Sequence, residues 1–311
     1  MVRGVGLVLP PGGRVWSLAE LAVRIAHLTD LHVQRAPTWA ELLSKRAVGA
    51  VNLYVLGRRG HFSEEVQRGL VASVREASPD LVACTGDLTA LATEGEFLAA
   101  RALLGPLFEA QPTVLLPGNH DTYTWRAWRR RSLEAHFAPW VGEGPWPRVR
   151  RHGEVALVSL DVCRAHPLSS GLCPLEQLER LDALLGDPAL GGGAVLVLLH
   201  YPLRDRRGEP YGPGTRSLQN AAALEAVLLR HRGRVTAVLH GHEHHGFRTT
   251  LQGIPVLNPG AGGYADLRAR GRRAHWCMYT VEAGRLAGVE RFAWDGARFA
   301  PEPGGPWATG G

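Results

Sequence analysis

The stretch Leu115-Leu116-Pro117-Gly118-Asn119-His120-Asp121 carries the first structural and functional signal of the chain. The apolar run 113–116 predicts a buried strand, and the following Pro-Gly pair predicts a turn that displays three polar side chains beyond the strand end. Strand ends are where α/β proteins place their chemistry. An Asn oxygen can bind a metal, a His can donate a proton, and Asp121 can cap a helix or orient that His. A Gly-Asn pair after a strand is most often only a turn, so the stretch needs support from elsewhere in the chain.

Four other apolar runs end in the same kind of residue. Runs 23–29, 80–85, 194–199 and 235–240 lead into Asp30-Leu31-His32, Gly86-Asp87, His200 and Gly241-His242-Glu243-His244. Taken alone, each Asp or His is ordinary in a loop or a helix cap. Together the five strand ends supply two carboxylates, one amide and four or five imidazoles, which form a set of metal ligands.

In this order, the strand-end residues resemble the calcineurin-like metallophosphoesterase superfamily over residues 23–260. The resemblance implies an α/β fold, a four-layer αββα sandwich with two metal ions in a cleft at the strand ends. It implies that one ion is held by Asp30, His32 and His244, that the other is held by Asn119, His200 and His242, and that Asp87 bridges them. His120 is similar to the family histidine that contacts phosphate and assists the leaving group, so catalytic roles are expected for His120 and Asp87. No motif position is missing.

The composition fits one large domain. The chain has 311 residues, 45% of them hydrophobic, which is enough to bury a full α/β core, expected here over 21–298. Its 35 Lys and Arg against 29 Asp and Glu give a net charge of +6, carried almost wholly by Arg. This excess favours phosphate-bearing or membrane partners, although a solvated basic face explains it equally well. No specific nucleic-acid partner is expected.

The termini and the cysteines indicate the compartment. Residues 1–20 are rich in Gly and Pro and predict a flexible extension, because the apolar patch 5–9 is too short for a signal peptide. The stretch 299–311 predicts a flexible tail. The four Cys show no C-x-x-C spacing, so we expect reduced thiols rather than a zinc ribbon or a disulfide framework. Without an apolar run of about eighteen residues, a transmembrane helix is not predicted. We expect a cytoplasmic protein, with peripheral contact at the inner membrane face as the alternative.

The segment 38–61 is longer than a connection from strand to helix requires. Its apolar residues lie between the basic pairs Lys45-Arg46 and Arg58-Arg59. Such a segment can lie on a lipid surface or form a cap over the cleft. A surface helix packed on the sandwich is the simpler alternative. Because the segment directly follows a predicted ligand motif, we expect it near the mouth of the cleft in either case.

Alternating helices and strands follow. Ser63 is the predicted N-cap of a helix whose first turn is acidic and whose apolar residues form one stripe. A strand, a helix over 94–108 and the strand of the Gly-Asn-His-Asp motif come next. This order is the βαβ pattern of a mostly parallel sheet.

Two Arg-rich stretches border the predicted ligands. The stretch 122–131 follows Asp121 and contains Arg126, and the irregular stretch 201–216 follows His200 and contains Arg204. Guanidinium groups pair bidentately with phosphate, so Asp121, Arg126 and Arg204 are candidate substrate contacts. For any single Arg, an exposed helix face is the alternative.

The ligand types determine the chemistry. Carboxylates, imidazoles and an amide oxygen suit Mn, Fe, Zn or Ni better than soft thiolate metals. Two ions roughly 3.5–4 Å apart can hold a bridging hydroxide, lower its pKa and clamp the phosphate oxygens for in-line attack on phosphorus. As an imidazolium, His120 could protonate or stabilise the leaving oxygen, a role worth roughly 10²–10⁴ in rate. The chain has no Gly-rich phosphate loop of the G-x-x-x-x-G-K type, which argues against nucleotide-driven phosphoryl transfer.

Three functions compete on this basis. The leading one is a dinuclear-metal phosphohydrolase, with phosphodiesterase activity favoured. The second is a pyrophosphatase for a nucleotide-linked lipid of the UDP-diacylglucosamine type at the inner membrane surface, favoured by 38–61 and the Arg-rich stretches. The third is a non-catalytic scaffold of the same fold. A scaffold would be expected to lack ligands, whereas here every ligand position is filled.

Overall fold

Twelve strands and eight α-helices make up the part of the chain that the computed structural model describes, which is residues 22–44, 46–51, 57–166, 168–212, 214–268 and 271–302. The strands are β1 (Val23–Leu28), β2 (Leu81–Cys84), β3 (Thr113–Leu115), β4 (Arg148–His152), β5 (Val155–Ser159), β6 (Ala194–Leu198), β7 (Val235–Leu239), β8 (Phe247–Leu251), β9 (Ile254–Asn258), β10 (His275–Glu282), β11 (Arg285–Trp294) and β12 (Phe299–Pro301). The helices are α1 (Trp39–Leu42), α2 (Arg46–Ala50), α3 (Glu64–Ala77), α4 (Glu94–Ala110), α5 (Trp125–Arg129), α6 (Ser132–Val141), α7 (Leu175–Gly186) and α8 (Ala221–Arg230).

The strands form two mixed sheets of six. The first has the order β12-β11-β10-β1-β2-β3, and the second has the order β4-β5-β6-β7-β9-β8. In the first sheet β1, β2 and β3 run parallel, and in the second β5, β6, β7 and β9 do so. All five strands that were expected to lead into ligands belong to these parallel sets. Their carboxyl ends therefore open at one edge of each sheet, where α/β proteins bind ligands.

Three apolar cores separate four layers. Between the sheets, Ile25 and Ala83 of the first sheet pack with Leu157 and Leu196 of the second. The outer face of the first sheet is covered mainly by α3, α4 and α6, and that of the second by α7 and α8. The central strands are buried on both faces, which explains why they read as continuous apolar runs. The predicted αββα sandwich is confirmed.

Helix caps appear where the sequence predicts them. The Ser63 side chain accepts a hydrogen bond from the Val66 backbone N–H at the start of α3. Helix α4 begins with a capping box in which Thr93 and Glu96 each bind the other's backbone N–H. The helix runs on to Ala110, two residues beyond the predicted end. Caps and acidic first turns stabilise these helices where they meet the sheet edge.

The carboxyl-terminal boundary differs from the prediction. The flexible tail was expected from residue 299, but Phe299–Pro301 forms β12 on the edge of the first sheet. Phe299 is buried against Trp294, and Glu302 pairs with Arg291, so burial and charge outweigh the Pro-rich composition. The predicted extension 1–20 and the rest of the tail lie outside the described residues.

All four cysteines are free and buried. Within the described ranges, no helix combines the length and the apolar character that crossing a bilayer requires.

Candidate metal centre

Four of the predicted ligands have a left-handed backbone. Their φ values are +53° for Asp30, +50° for His32, +56° for Asp87 and +69° for His242. Residues with a side chain rarely adopt this conformation, and it costs of order 1–3 kcal/mol when the surroundings impose it. Strain of this kind concentrates at functional sites because it aims side chains that regular backbone would point elsewhere. Here each strained residue follows the end of a parallel strand.

The glycines of the ligand motifs are required by close packing of the loops. A Cβ atom on Gly118 would lie 2.1 Å from Oδ1 of Asp87. A Cβ on Gly241 would lie 2.1 Å from Thr29 Oγ1 and 2.7 Å from Asp30 Oδ2. Any larger residue would separate loops whose side chains have to meet. This explains physically why Gly stands beside Asn, Asp and His in these motifs.

Asp30, His32 and His244 converge as the first predicted ligand group. His244 Nε2 lies 3.4 Å from Asp30 Oδ1, His32 Nε2 lies 3.7 Å from the same oxygen, and the two imidazole nitrogens are 3.2 Å apart. The other oxygen of Asp30, Oδ2, accepts hydrogen bonds from Thr29 Oγ1 and the His242 backbone N–H. Oδ1 is buried and has no hydrogen-bond partner. A buried carboxylate oxygen without a donor is costly unless a cation binds it.

Asn119, His200 and His242 converge as the second group. Asn119 Oδ1 lies 3.1 Å from His200 Nε2 and 2.8 Å from His242 Nδ1. The residues come from the ends of β3, β6 and β7, so both sheets contribute to the group. His200 Nδ1 donates to the Thr85 carbonyl at 2.7 Å, so Nε2, which faces the amide oxygen, is the ring nitrogen available to a metal ion. A metal ion is the natural partner for ring nitrogens and an amide oxygen that converge on one point.

Asp87 lies between the two groups. Its Oδ2 is 3.6 Å from His32 Nε2 in the first group and 3.4 Å from His200 Nε2 in the second. Its Oδ1 accepts the His120 backbone N–H at 2.7 Å, which fixes the orientation of the carboxylate. The structure thus brings all seven predicted ligand residues together and places Asp87 where a bridging ligand would be needed.

The charges of this centre favour a cation. Burial alone would raise the pKa of Asp30 and of Asp87, but neighbouring imidazoles outweigh it and hold both well below their usual range. Burial lowers the pKa of His200, but the charge of Asp87 and its hydrogen bond outweigh this and raise it to about 9. A field that keeps a proton on a buried imidazole also attracts a metal ion.

His120 lies beside the ligands. Its Nδ1 donates to the Ala90 carbonyl at 2.6 Å, so Nε2 is the nitrogen that remains for a substrate. Burial lowers its pKa to about 4, against the opposing charge of Asp87. His120 also forms a possible ligand group with His32 and Asp87. Geometry alone therefore allows two roles, and a measurement of metal content separates them.

Partners of the ligands were missed by sequence reasoning. Besides Thr85, they include Tyr264, whose hydroxyl lies 2.9 Å from His244 Nδ1. Such partners fix the tautomer and the ring orientation of a ligating histidine. Thr85 stands directly before Gly86-Asp87, so its place in the sequence could have indicated that it lies beside the ligands. Tyr264 follows a Gly-rich loop that passes close to the loop after β1, since a Cβ on Gly263 would lie 2.1 Å from the Leu31 carbonyl oxygen.

Two of the three predicted substrate contacts, Asp121 and Arg204, are bound by other groups of the protein. Asp121 is buried, and its carboxylate accepts hydrogen bonds from the backbone of Gly118, Leu88 and Thr89 and from the Thr89 hydroxyl. Asp121 therefore holds the ligand loops after β2 and β3 together through hydrogen bonds. Burial and the nearby Asp87 raise its pKa to about 7.

The two predicted arginine contacts differ from each other. Arg204 pairs with Glu225 of α8, which neutralises its charge away from the ligands. Arg126 is exposed on α5 and lines a groove beside the centre. Only a substrate that extends into this groove would reach it.

The segment 38–61 lies at the cleft, as expected, but one of its four basic residues, Arg46, is buried. Gly49 in α2 and His61 line the same small cavity as His120, which places the segment at the mouth. Arg46 is 8% exposed and donates to the carbonyls of Leu91 and Ala92, so it cannot contact a membrane. Lys45 and residues 52–56 lie outside the described residues.

Comparison with known families decides the class of the protein. The family model of calcineurin-like phosphoesterases matches residues 23–246, which is more than half of the chain. The chain belongs to this family. Members of the calcineurin-like phosphoesterase family are metal-dependent phosphoester hydrolases with dinuclear metal centres, and the candidate ligand groups of this chain agree with such a centre. No curated protein matches the chain by sequence.

Solved structures show the same fold at low sequence identity. A dimetal phosphatase from Danio rerio matches with a TM-score of 0.59 and 14% identity, over 87% of this chain and 95% of that chain. A purple acid phosphatase from yellow lupin (Lupinus luteus) seeds matches with a TM-score of 0.57 and 13% identity, over 90% of this chain and 53% of the lupin chain. GAP50, an anchor in the inner membrane complex of Plasmodium, matches with a TM-score of 0.51 and 11% identity, over 93% of this chain and 87% of the GAP50 chain. At these identities the likeness shows the fold alone.

Proposed function

We propose that this calcineurin-like phosphoesterase hydrolyses phosphodiesters. The observation that carries the proposal is the position of Asp87, whose Oδ2 lies within 3.6 Å of a histidine nitrogen of each ligand group. A single carboxylate between two sets of nitrogen and oxygen ligands is the arrangement that holds two ions side by side. The unpartnered Asp30 Oδ1 gives independent support for the fit.

The residues of the chain would divide the work as follows. Asp30, His32 and His244 would hold one ion, Asn119, His200 and His242 the other, and Asp87 both. When bound, two such ions activate water at neutral pH and neutralise the phosphoryl oxygens. His120, fixed through Nδ1 to Ala90, presents Nε2 to the leaving oxygen. Tyr264 and the Thr85 carbonyl hold the imidazoles of His244 and His200 in their ligating orientation.

A diester is favoured over a monoester by the amount of space beside the centre. A cavity of about 150 Å³ adjoins His32, His120 and His244. A groove of about 1460 Å³ adjoins it across Tyr123, which lines both. A phosphodiester carries an organic group on each side of phosphorus, and both groups find room here.

A substrate comparison tests the proposal. The purified protein is loaded with Mn²⁺ and assayed with bis-p-nitrophenyl phosphate, p-nitrophenyl phosphate and cyclic nucleotides. We expect kcat/KM for the diester to exceed that for the monoester by about tenfold or more, which corresponds to about 1.4 kcal/mol. Chelation should abolish both activities. A clear preference for the monoester would contradict the proposal.

The groove favours a second candidate, the pyrophosphatase of a nucleotide-linked lipid. Its rim carries Leu43 and Trp125, which are 89% and 56% exposed. Trp39, which is 87% exposed, stands between the lining residues Thr38 and Ala40. Exposed apolar side chains around a groove are typical of a site for lipid or a partner. UDP-diacylglucosamine in mixed micelles, compared with UDP-glucose, tests this candidate. Turnover of both at the same rate would contradict it.

A further inference from the structure

Two buried side-chain nitrogens without partners line the small cavity beside the metal centre. They are Nε2 of Gln34 and Nη1 of Arg272, and neither has a hydrogen-bond partner among the described residues. Both are donors. A buried donor that is left unpaired costs about 1–3 kcal/mol, more for a charged group, so each such group in a native structure needs an explanation.

The position of Arg272 is fixed by its neighbours. Its backbone pairs with that of Leu267 through two hydrogen bonds of 3.2 Å. Its guanidinium carbon lies 5.9 Å from the centre of the Tyr264 ring, and the Tyr264 hydroxyl contacts His244. Arg272 is therefore linked to a predicted metal ligand through one aromatic residue. Gln34 reaches the same cavity from the loop that carries His32.

The lining of the cavity suits an anion. It has no carboxylate among the described residues, and His32, His120 and His244 form part of its wall. Arg272 supplies a guanidinium, the side chain with five N–H donors and no acceptor. The cavity has a volume of about 150 Å³, which leaves room for a phosphoryl group. An anionic oxygen would satisfy both unpaired donors at once, and Arg is the residue best suited to bind phosphate.

We propose that Gln34 and Arg272 bind an anionic phosphoryl oxygen of the substrate on the His32 and His244 side of the centre. The proposal rests on the proposed function, because it assigns substrate contacts to the same site. The oxygen can belong to the phosphoryl group that is hydrolysed or to a neighbouring phosphoryl group, as in a pyrophosphate. Both sources present the same chemistry to the two donors.

Calorimetric titration of the Mn²⁺-loaded protein with inorganic phosphate and with pyrophosphate tests the proposal without using turnover. We expect Arg272→Gln and Gln34→Ala to weaken binding by about 10- to 100-fold and by about 3- to 10-fold, as for lost charged and neutral hydrogen bonds. Arg272→Lys should recover part of the loss, since it keeps the charge but not the planar fork. Arg285→Gln is the matched control, because Arg285 is exposed at the opposite ends of the strands.

The two anions distinguish the sources. A loss for phosphate and pyrophosphate alike supports contact with the hydrolysed phosphoryl group, and a loss for pyrophosphate alone supports contact with its neighbour. Wild-type binding of both anions by Arg272→Gln and Gln34→Ala would overturn the proposal. Weaker binding together with loss of metal would also overturn it, because the residues would then support the metal centre instead. Failure of the wild type to cleave diesters would refute the proposed function and leave these titrations valid.

Discussion

Asp87 is the residue on which the metal centre depends. Its two oxygens have different tasks, since Oδ1 accepts the His120 N–H and Oδ2 faces both ligand groups. It has a left-handed backbone and lies against Gly118 with no room for a Cβ between them. Strain and close packing at one residue mean that its side chain cannot relax into another position.

We predict that Asp87→Ala loses metal and activity together. Without the carboxylate, no negative charge would offset the mutual repulsion of two neighbouring cations, and kcat/KM for bis-p-nitrophenyl phosphate should fall by on the order of 10³-fold or more. Metal content is measured by mass spectrometry after gel filtration. Asp80→Asn, at the opposite end of β2, is the control and should keep wild-type metal. Two ions per chain in Asp87→Ala would contradict the bridging role.

We predict that His120→Ala keeps its metal and loses turnover. Its imidazole contacts the space where the leaving oxygen would lie, so kcat should fall by roughly 10²–10⁴ for alkyl diesters and least for substrates with good leaving groups. Plotting kcat against the pKa of the leaving group for wild type and variant gives the test, with His152→Ala on the distant β4 edge as control. A drop in metal content would instead make His120 a ligand, in line with its closeness to His32 and Asp87.

The ligand set could be predicted from the sequence, but its partners could not. Ligands such as Asp30 and His200 stand at fixed positions after apolar runs, so periodicity locates them. Arg272 and Tyr264 reach the site from a loop far along the chain, and nothing local indicates which way they point. The burial of Arg46 could not be predicted from the sequence either, because it depends on carbonyl groups 45 and 46 residues away.

At the scale of elements, helix α4 and the loop before it form one unit with the cleft. Glu96 accepts hydrogen bonds from the backbone N–H groups of Leu91 and Thr93 through Oε2, and its Oε1 is buried without a partner. Burial raises its pKa to about 7, against those hydrogen bonds. The carboxyl group is thus more easily protonated in the folded chain than in the unfolded chain.

This predicts a loss of stability with rising pH. Because the folded pKa lies above the unfolded value, Glu96 contributes stability that is fully present below about pH 4.5 and is lost as the pH rises through about 7. The shift corresponds to at most about 3 kcal/mol. Glu96→Gln should remove this pH dependence. The free energy of unfolding of the variant, measured with urea, should therefore rise relative to that of the wild type between pH 5 and pH 8. Glu65→Gln, an exposed first-turn residue of α3, should follow the wild type. Parallel pH profiles for Glu96→Gln and wild type would contradict the prediction.

The two sheets share one functional edge. The first sheet supplies Asp30, Asp87 and Asn119, and the second supplies His200 and His242, so a complete site requires the sandwich to be assembled. The groove opens beside this edge between α1, α5 and α6. A single surface therefore combines the centre, exposed apolar side chains and the basic residues Arg126 and Arg130.

This surface leads to a prediction about membranes that differs from the one based on basic pairs. Because Arg46 is buried, contact with lipid would depend on Trp39 and Leu43, aided by Arg126 and Arg130. The wild type should co-sediment with phosphatidylglycerol vesicles at low salt and be released as ionic strength rises, since exposed charges are screened within about 10 Å at 0.1 M salt.

The double variant Trp39→Glu with Leu43→Glu should bind the vesicles on the order of 100-fold more weakly, because burying each of the two side chains is worth about 1.5–3 kcal/mol. Leu175→Glu is the matched control, since Leu175 is 70% exposed at the start of α7 on the outer layer of the second sheet. Circular dichroism and metal content confirm that all variants are folded. If the double variant sediments like the wild type, the rim is not a lipid contact, and the lipid-linked substrate loses its structural support. If Leu175→Glu weakens binding as much as the double variant, the attraction is not specific to this face.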